Sequence, residues 1–162
     1  MPNVNTKAHV LVRDGFICRY CSTRLYLAQA IKVIDMYDPS KGKHWDTNGK
    51  FEPLRSNWAT VDHIIPEDAP KGYDTFDNLV ACCVMCNSSK GKEQRNLLPQ
   101  SLDKSWDGGS SIFLTLAPLY KTHLSKVDVK WLKALSWEGI TPDEEDIQAK
   151  IDRLPFYSEL PK

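Results

Sequence analysis

No run of apolar residues in this 162-residue chain approaches the roughly 18–20 that a membrane-crossing helix needs, so no transmembrane helix is expected. The N-terminus, MPNVNTKAHV, lacks an apolar stretch behind basic residues, so no secretory leader is expected; the expected location is the cytoplasm, without a membrane partner. A surplus of either charge is also missing. Twenty-one Lys and Arg balance 21 Asp and Glu, so the basic excess of an ordinary nucleic-acid binder is absent, and any such function must rest on a site. The balance is uneven along the chain: residues 1–58 carry 9 basic against 5 acidic residues, and both later parts are net acidic. Repeats and low-complexity segments are lacking. With 8 Gly and 10 Pro against 41% hydrophobic residues, collagen-like and broadly disordered chains are excluded, and the length fits one core with attachments.

Cysteine is what the chain does have, in a telling arrangement. Cys18-Arg-Tyr-Cys21 and Cys83-Val-Met-Cys86 are two C-x2-C pairs, 61 residues apart. Such pairs offer four thiolates for one tetrahedral Zn²⁺, and in a reducing compartment grouped cysteines serve as metal ligands or reactive thiols more often than as disulfides. A redox C-x-x-C needs only one pair. The long gap makes this a staple across the fold with a subdomain looped out between the knuckles. Cys82 with Cys86 forms an alternative C-x3-C knuckle; Cys82 otherwise reads as a small buried residue on a strand.

Between the knuckles, Trp58-Ala-Thr-Val-Asp62-His63-Ile-Ile-Pro66 alternates and is rich in β-branched residues, which predicts a strand ending at Pro66. Glu67 to Asp77 is polar and reads as a loop. Asn78-Leu-Val-Ala-Cys-Cys predicts a second strand, and a short helix is expected to open at Asn87 or a following Ser and to stop before Pro99.

Four ordered blocks then coincide: Arg13-Asp14-Gly15-Phe-Ile-Cys18-Arg-Tyr20-Cys21, Asp62-His63-Ile-Ile-Pro66, Asp77-Asn78-Leu79 and Cys83-Val-Met-Cys86-Asn87-Ser-Ser-Lys90-Gly91. Together, over about residues 8–97, they resemble the HNH endonuclease family. The resemblance implies an α+β fold with a ββα-metal (His-Me finger) core, a four-cysteine structural zinc site at Cys18, Cys21, Cys83 and Cys86, and a catalytic Mg²⁺ or Mn²⁺. It implies His63 as general base, Asp62 and Asn87 as ligands of the catalytic ion, and Asn78 as a tether of the inter-strand loop. Asn87 stands where many members have His, which shifts the ligand set toward oxygen. The implied reaction is hydrolysis of DNA phosphodiesters to a 5′-phosphate.

The chemistry is consistent with those residue types. Phosphodiester hydrolysis needs an activated water, charge stabilisation on the phosphoryl oxygens and help for the leaving alkoxide. A histidine near its ordinary pKa of about 6.5 takes a proton from water, and two oxygen donors suit Mg²⁺ with water and phosphate completing the shell. Successive strand residues face opposite ways, so Asp62 and His63 are expected to approach from different sides. Lys90, Lys92 and Arg95 on the following helix form a candidate phosphate clamp, or equally a solvated helix face.

Residues 22–34 read as a short helix or a strand, and residues 35–58 as an inserted loop or hairpin. Its Trp45, Phe51 and Trp58 either stack on bases or pack a satellite core. Asp107-Gly-Gly-Ser-Ser111 reads as a linker between a nuclease domain, 1–100, and a mainly helical C-terminal extension, 101–162, packed on it. In that extension Ser125–Trp137 is a helix expected to bury Val127, Trp131, Leu132 and Leu135, and Thr141-Pro142-Asp143-Glu144-Glu145 reads as a helix start. His9, His44 and His123 carry no motif. Two other functions compete: a zinc-stapled nucleic-acid or protein interaction module that has lost catalysis, and a nuclease for RNA or structured DNA. Restriction, homing, phage DNA processing and defence all use such a unit, with a protein partner supplying targeting where the chain does not.

Overall fold

The computed structural model describes residues 2–41, 54–65, 74–93, 105–143 and 145–154, with backbone alone at 41, 54–55 and 91–93. Helix α1 (Val4–Arg13) starts where the Asn3 side chain accepts the Thr6 N–H at 2.9 Å, satisfying one of the donors that every helix start leaves open. It ends in a tight turn in which Gly15 and Phe16 both take positive φ. Phe16 is held in this uncommon conformation from outside: its ring lies where a Cβ on Gly108 would stand 2.2 Å away, so only glycine fits at 108.

Residues 22–34 are both things the sequence left open. Arg24 and Tyr26 form isolated bridges to Ile17 and Trp58, and helix α2 (Ala28–Tyr37) follows directly. A turn of 3-10 helix closes it at Pro39–Lys41, and another, Leu54–Asn57, leads into strand β1 (Ala59–His63). Trp45 and Phe51 lie outside the described residues.

Strand β1 stops at His63, short of the expected Pro66, because Asn78 takes over the next backbone groups. Its carbonyl accepts the Ile64 N–H at 2.8 Å, and its side chain accepts from the Ile65 N–H at 2.8 Å and donates to the Ile65 carbonyl at 3.2 Å. Strand β2 (Leu79–Cys83) pairs antiparallel with β1, Ala59 opposite Cys83 and His63 opposite Leu79. Helix α3 (Val84–Glu93) begins on the next residue, not at Asn87, so Asn87 sits inside the helix with its side chain free of capping duty. Strand, loop, strand and helix thus follow in order, and α3 packs on both strands.

Asp107–Ser111 is a buried turn and not a loose linker. The Asp107 carboxylate accepts the N–H groups of Gly109 at 2.9 Å and Ser111 at 3.2 Å, opening helix α4 (Ser110–Leu116), while the Gly108 carbonyl accepts the Leu27 N–H. A 3-10 segment, Ala117–His123, leads to helix α5 (Lys126–Trp137), whose capping box joins Ser125 and Asp128 reciprocally. Trp131 and Leu135 of α5 are buried as expected and Leu132 partly so, but Val127 is 51% exposed. Helix α6 (Ile147–Asp152) starts later than Thr141, capped by Asp146. Packing is continuous: α1 lies against α5 and the sheet, α2 against α4, and Leu11, Phe16, Leu25, Ile31, Ala81, Phe113, Leu116 and Leu135 belong to one buried cluster. Burying each of the larger of these side chains contributes about 1.5–3 kcal/mol. Mixed helices and a small antiparallel sheet make the chain α+β. Among the described residues no helix is long and apolar enough to cross a membrane.

Candidate functional site

The two knuckles meet. The Sγ atoms of Cys18, Cys21, Cys83 and Cys86 all lie within 4.8 Å of one another, with Cys21 and Cys83 at 3.9 Å. Four thiolates at about 2.3 Å from one Zn²⁺ stand about 3.8 Å apart, so this cluster can hold a metal such as zinc. Backbone bonds impose the arrangement: the Ser22 N–H bonds the Cys18 carbonyl at 2.8 Å, and Arg19 N–H reaches the Ala81 carbonyl at 2.9 Å, tying the first knuckle to β2. The Cys83 thiol beside it holds Cys18 below the ordinary thiol range, while the same contact and burial drive Cys83 up. Burial pushes Cys86 up to about 12. Those retained protons are what a bound cation displaces. Cys82 stands outside the cluster, fully buried on β2, its thiol raised by burial and 3.2 Å from the Thr60 hydroxyl.

Arg13 and Asp14, in the first block, anchor the whole region. The Asp14 carboxylate, 2% exposed, takes Arg13 Nε at 2.8 Å, Arg13 Nη2 at 3.0 Å, Arg19 Nη1 at 3.2 Å and the Ala81 N–H at 2.9 Å. Arg13 then reaches the carbonyls of Phe76 at 2.8 Å and Leu79 at 2.6 Å, fixing the end of the inter-strand loop. A buried carboxylate with this many donors meets its desolvation cost.

On one face of β1, Thr60 and Asp62 look toward α3 and Tyr20. The Thr60 hydroxyl gives its proton to the Cys82 carbonyl at 2.8 Å, so its oxygen can only accept from Asn87 Nδ2 at 3.3 Å. The Asn87 carbonyl oxygen is therefore turned away from Thr60 and available as a donor to a cation. One turn along α3, Lys90 is buried at 9% exposure, not on a solvated face. Its ammonium lies 2.8 Å from Asp62 Oδ2 and 3.3 Å from the Tyr20 hydroxyl, and also bonds the carbonyls of His63 and, at 3.2 Å, Ile64. Tyr20 donates to the same Asp62 oxygen at 2.8 Å, and its phenol is raised by burial and by that carboxylate. Asp62 Oδ1 accepts no hydrogen bond from the described residues, and a carboxylate oxygen and an amide carbonyl are donor types that hard divalent ions take. The side chain of Lys92, and Arg95 altogether, lie outside the described residues.

His63 leaves the other face of β1. Its Nε2 stands 2.6 Å from the Asp74 carboxylate; an ionised carboxylate only accepts, so Nε2 carries the proton and, in the neutral ring, Nδ1 carries the lone pair. Asn78 bonds the Ile65 backbone through its side chain and the Thr75 carbonyl through its N–H at 3.0 Å.

Residues 49–93 match the family model described as HNH endonuclease. No curated protein and no solved structure matches the chain. The HNH segment contains β1, β2 and α3, and hence Asp62, His63, Asp74, Asn78, Asn87 and Lys90. The first knuckle with Tyr20 and the helices after α3 lie beyond it. Three participants escaped sequence reasoning. Tyr20 is flanked by the first pair of cysteines, so the zinc reading hid it. Asp74 lay in a polar loop without pattern. Thr60 was within reach, because residues two apart on a strand share a face.

Proposed function

We propose that the chain is a metal-dependent HNH endonuclease that hydrolyses DNA phosphodiester bonds on a ββα-metal core. The observation that carries this is the joint placement within the HNH segment of an oriented His63 on one face of β1 and oxygen donors from Asp62 and Asn87 on the other. In this reading His63 Nδ1 accepts the proton of the attacking water while Asp74 holds the ring and supports the imidazolium that forms. Asp62 and Asn87 would hold Mg²⁺ or Mn²⁺, which supplies charge stabilisation to the scissile phosphate and the departing 3′ oxygen. Lys90 is assigned a positioning task here, in place of the phosphate clamp expected from its sequence position: it fixes Asp62 and the carbonyls at the end of β1. Asn78 sets the loop, and the four cysteines hold structural Zn²⁺ apart from the chemistry. Residues 1–100 are read as the nuclease unit, with 101–162 as an extension sharing its core.

The test is incubation with supercoiled plasmid. Nicked or linear product is expected with Mg²⁺ or Mn²⁺ and none in EDTA; cleavage unaffected by EDTA contradicts the metal-dependent reading. One observation favours a second reading, an interaction module without catalysis: the Lys90 ammonium already neutralises Asp62. DNA binding without ion-dependent cleavage under any of these conditions selects that module.

A further inference from the structure

Helix α5 lies beyond the HNH segment, and its outer face has a composition that helix stability does not explain. Lys126, Lys130, Lys133 and Trp137 are spaced four, three and four apart, which at 100° per residue puts them within about 60° of one another on one stripe. All four are exposed, Trp137 at 74%. No carboxylate among the described residues pairs with the three lysines, and the carboxylates of this region are engaged elsewhere, Asp128 with Lys32 at 2.6 Å and Glu138 with His9 at 3.2 Å.

Such a stripe works against its own helix. Like charges three and four residues apart disfavour the helix, and Lys126 occupies the first turn, where the helix dipole disfavours cations. An indole left in water gains nothing from burial. The position along the molecule supplies the reason. Glu138, the residue after Trp137, bonds His9; the His9 ring lies tilted against Phe76 with centroids 4.6 Å apart; and Phe76 is two residues from Asp74, the partner of His63. Phe76 is itself 49% exposed. The C-terminal end of the basic stripe therefore lies, through Glu138 and His9, beside the loop end that carries the partner of the proposed general base. From Lys126 to Lys133 the stripe spans about 10 Å at 1.5 Å per residue, close to the rise of three nucleotides at 3.4 Å each.

We propose that the α5 stripe Lys126, Lys130, Lys133 and Trp137 is a rail that docks the phosphate backbone of the DNA cleaved at His63, with Trp137 against a sugar or base. The proposal rests on the nuclease reading above, and its occupant is chosen by charge: three exposed ammonium groups in a row, with no carboxylate partner among the described residues, fit a polyanion strand. It gives the extension a task in a chain whose overall neutrality provides no general attraction to DNA.

The experiment uses the full chain carrying His63→Ala, so that DNA survives, and a fluorescein-labelled 20-base-pair duplex read by anisotropy between 50 and 200 mM KCl. Replacing Lys126, Lys130 and Lys133 together by Gln is expected to weaken binding and to flatten the slope of log affinity against log salt by about 2.7, so that affinity falls about 40-fold less over this range. The same three positions changed to Arg are expected to keep the wild-type slope, which separates charge from folding. Duplex-induced quenching of tryptophan emission is expected to shrink in Trp137→Phe. Unchanged affinity and slope in the Gln variant overturn the rail and leave the nuclease reading standing. Failure of the His63→Ala protein to bind duplex at 50 mM KCl overturns both.

Discussion

Lys90 and Asp74 exchange the roles that their positions suggest. Lys90 follows a cysteine knuckle in a Lys-rich stretch, which in sequence looks like phosphate contact, yet α3 opens directly from β2 and turns the Asn87–Lys90 face inward onto β1. Asp74 sits in a stretch that is polar and patternless in sequence and pairs with His63 at 2.6 Å, just before the segment that Arg13 and Asn78 tie down. The strand, loop, strand and helix that carry Asp62, His63, Asn78 and Asn87 were legible from alternation and β-branching; the contacts of Asp74 and Tyr20 were not, because each is made to a residue distant in sequence that no local pattern encodes. Asp74→Asn removes a charge-assisted bond worth about 1.5–3 kcal/mol and can present its amide to Nε2, which displaces the proton to Nδ1. The expected result is a fall in kcat of about 10- to 100-fold with KM for DNA little changed. Equal kcat in wild type and variant contradicts the positioning role.

Helix α5 shows how an element can be predicted in place and still be turned differently. Ser125 and Asp128 form a capping box, and Trp131 and Leu135 face the core as expected; Val127 belongs to the exposed side because the buried stripe is centred on 128, 131 and 135. Helix α6 was placed too early because Asp143 makes one long-range and one local bond that compete with a helix. Its N–H bonds the Thr115 hydroxyl at 2.7 Å and its carboxylate takes the Glu145 N–H at 3.0 Å, and Asp146 becomes the cap instead. A testable consequence attaches to Asp128. Burial works to raise its pKa, but the Lys32 ammonium and the Ser125 donors outweigh this and hold it below the ordinary carboxylate value. A carboxyl lowered in the fold contributes stability that is present above its unfolded pKa of about 4 and is lost as pH falls through the folded value. Urea midpoints are therefore expected to drop as pH falls below about 4. Lys32→Met is expected to cost about 2 kcal/mol at pH 7 and less in acid, where Asp128 is protonated. An equal loss at both pH values contradicts the pairing.

At the scale of the whole molecule, two distant knuckles and a continuous core hold one small sheet in place. The sequence disclosed the staple, since two equal C-x2-C pairs admit few other uses, but it misread the connection between halves. Gly108 and Gly109 resemble a flexible linker in sequence, whereas Gly108 is a close-packed turn under the Phe16 ring and the Asp107 carboxylate caps the next helix. The staple joins residues near the start of the chain to β2 and α3, so its metal is expected to be needed for folding. Elemental analysis is expected to find one zinc per chain. Cys21→Ser is expected to lose it and to lower Tm by more than about 10 °C, a shift of roughly 3–5 kcal/mol in a chain of this size. Full zinc occupancy in that variant, or unchanged Tm, contradicts the four-cysteine site.

On the proposed reading the four-cysteine metal holds the fold, while His63 and a separate divalent ion do the chemistry. Plasmid cleavage in Mg²⁺ by His63→Ala, beside wild type and with zinc content and Tm matched, tests it most directly. The account predicts a fall in cleavage rate of about 100-fold or more with zinc and Tm unchanged; wild-type cleavage by that variant contradicts it.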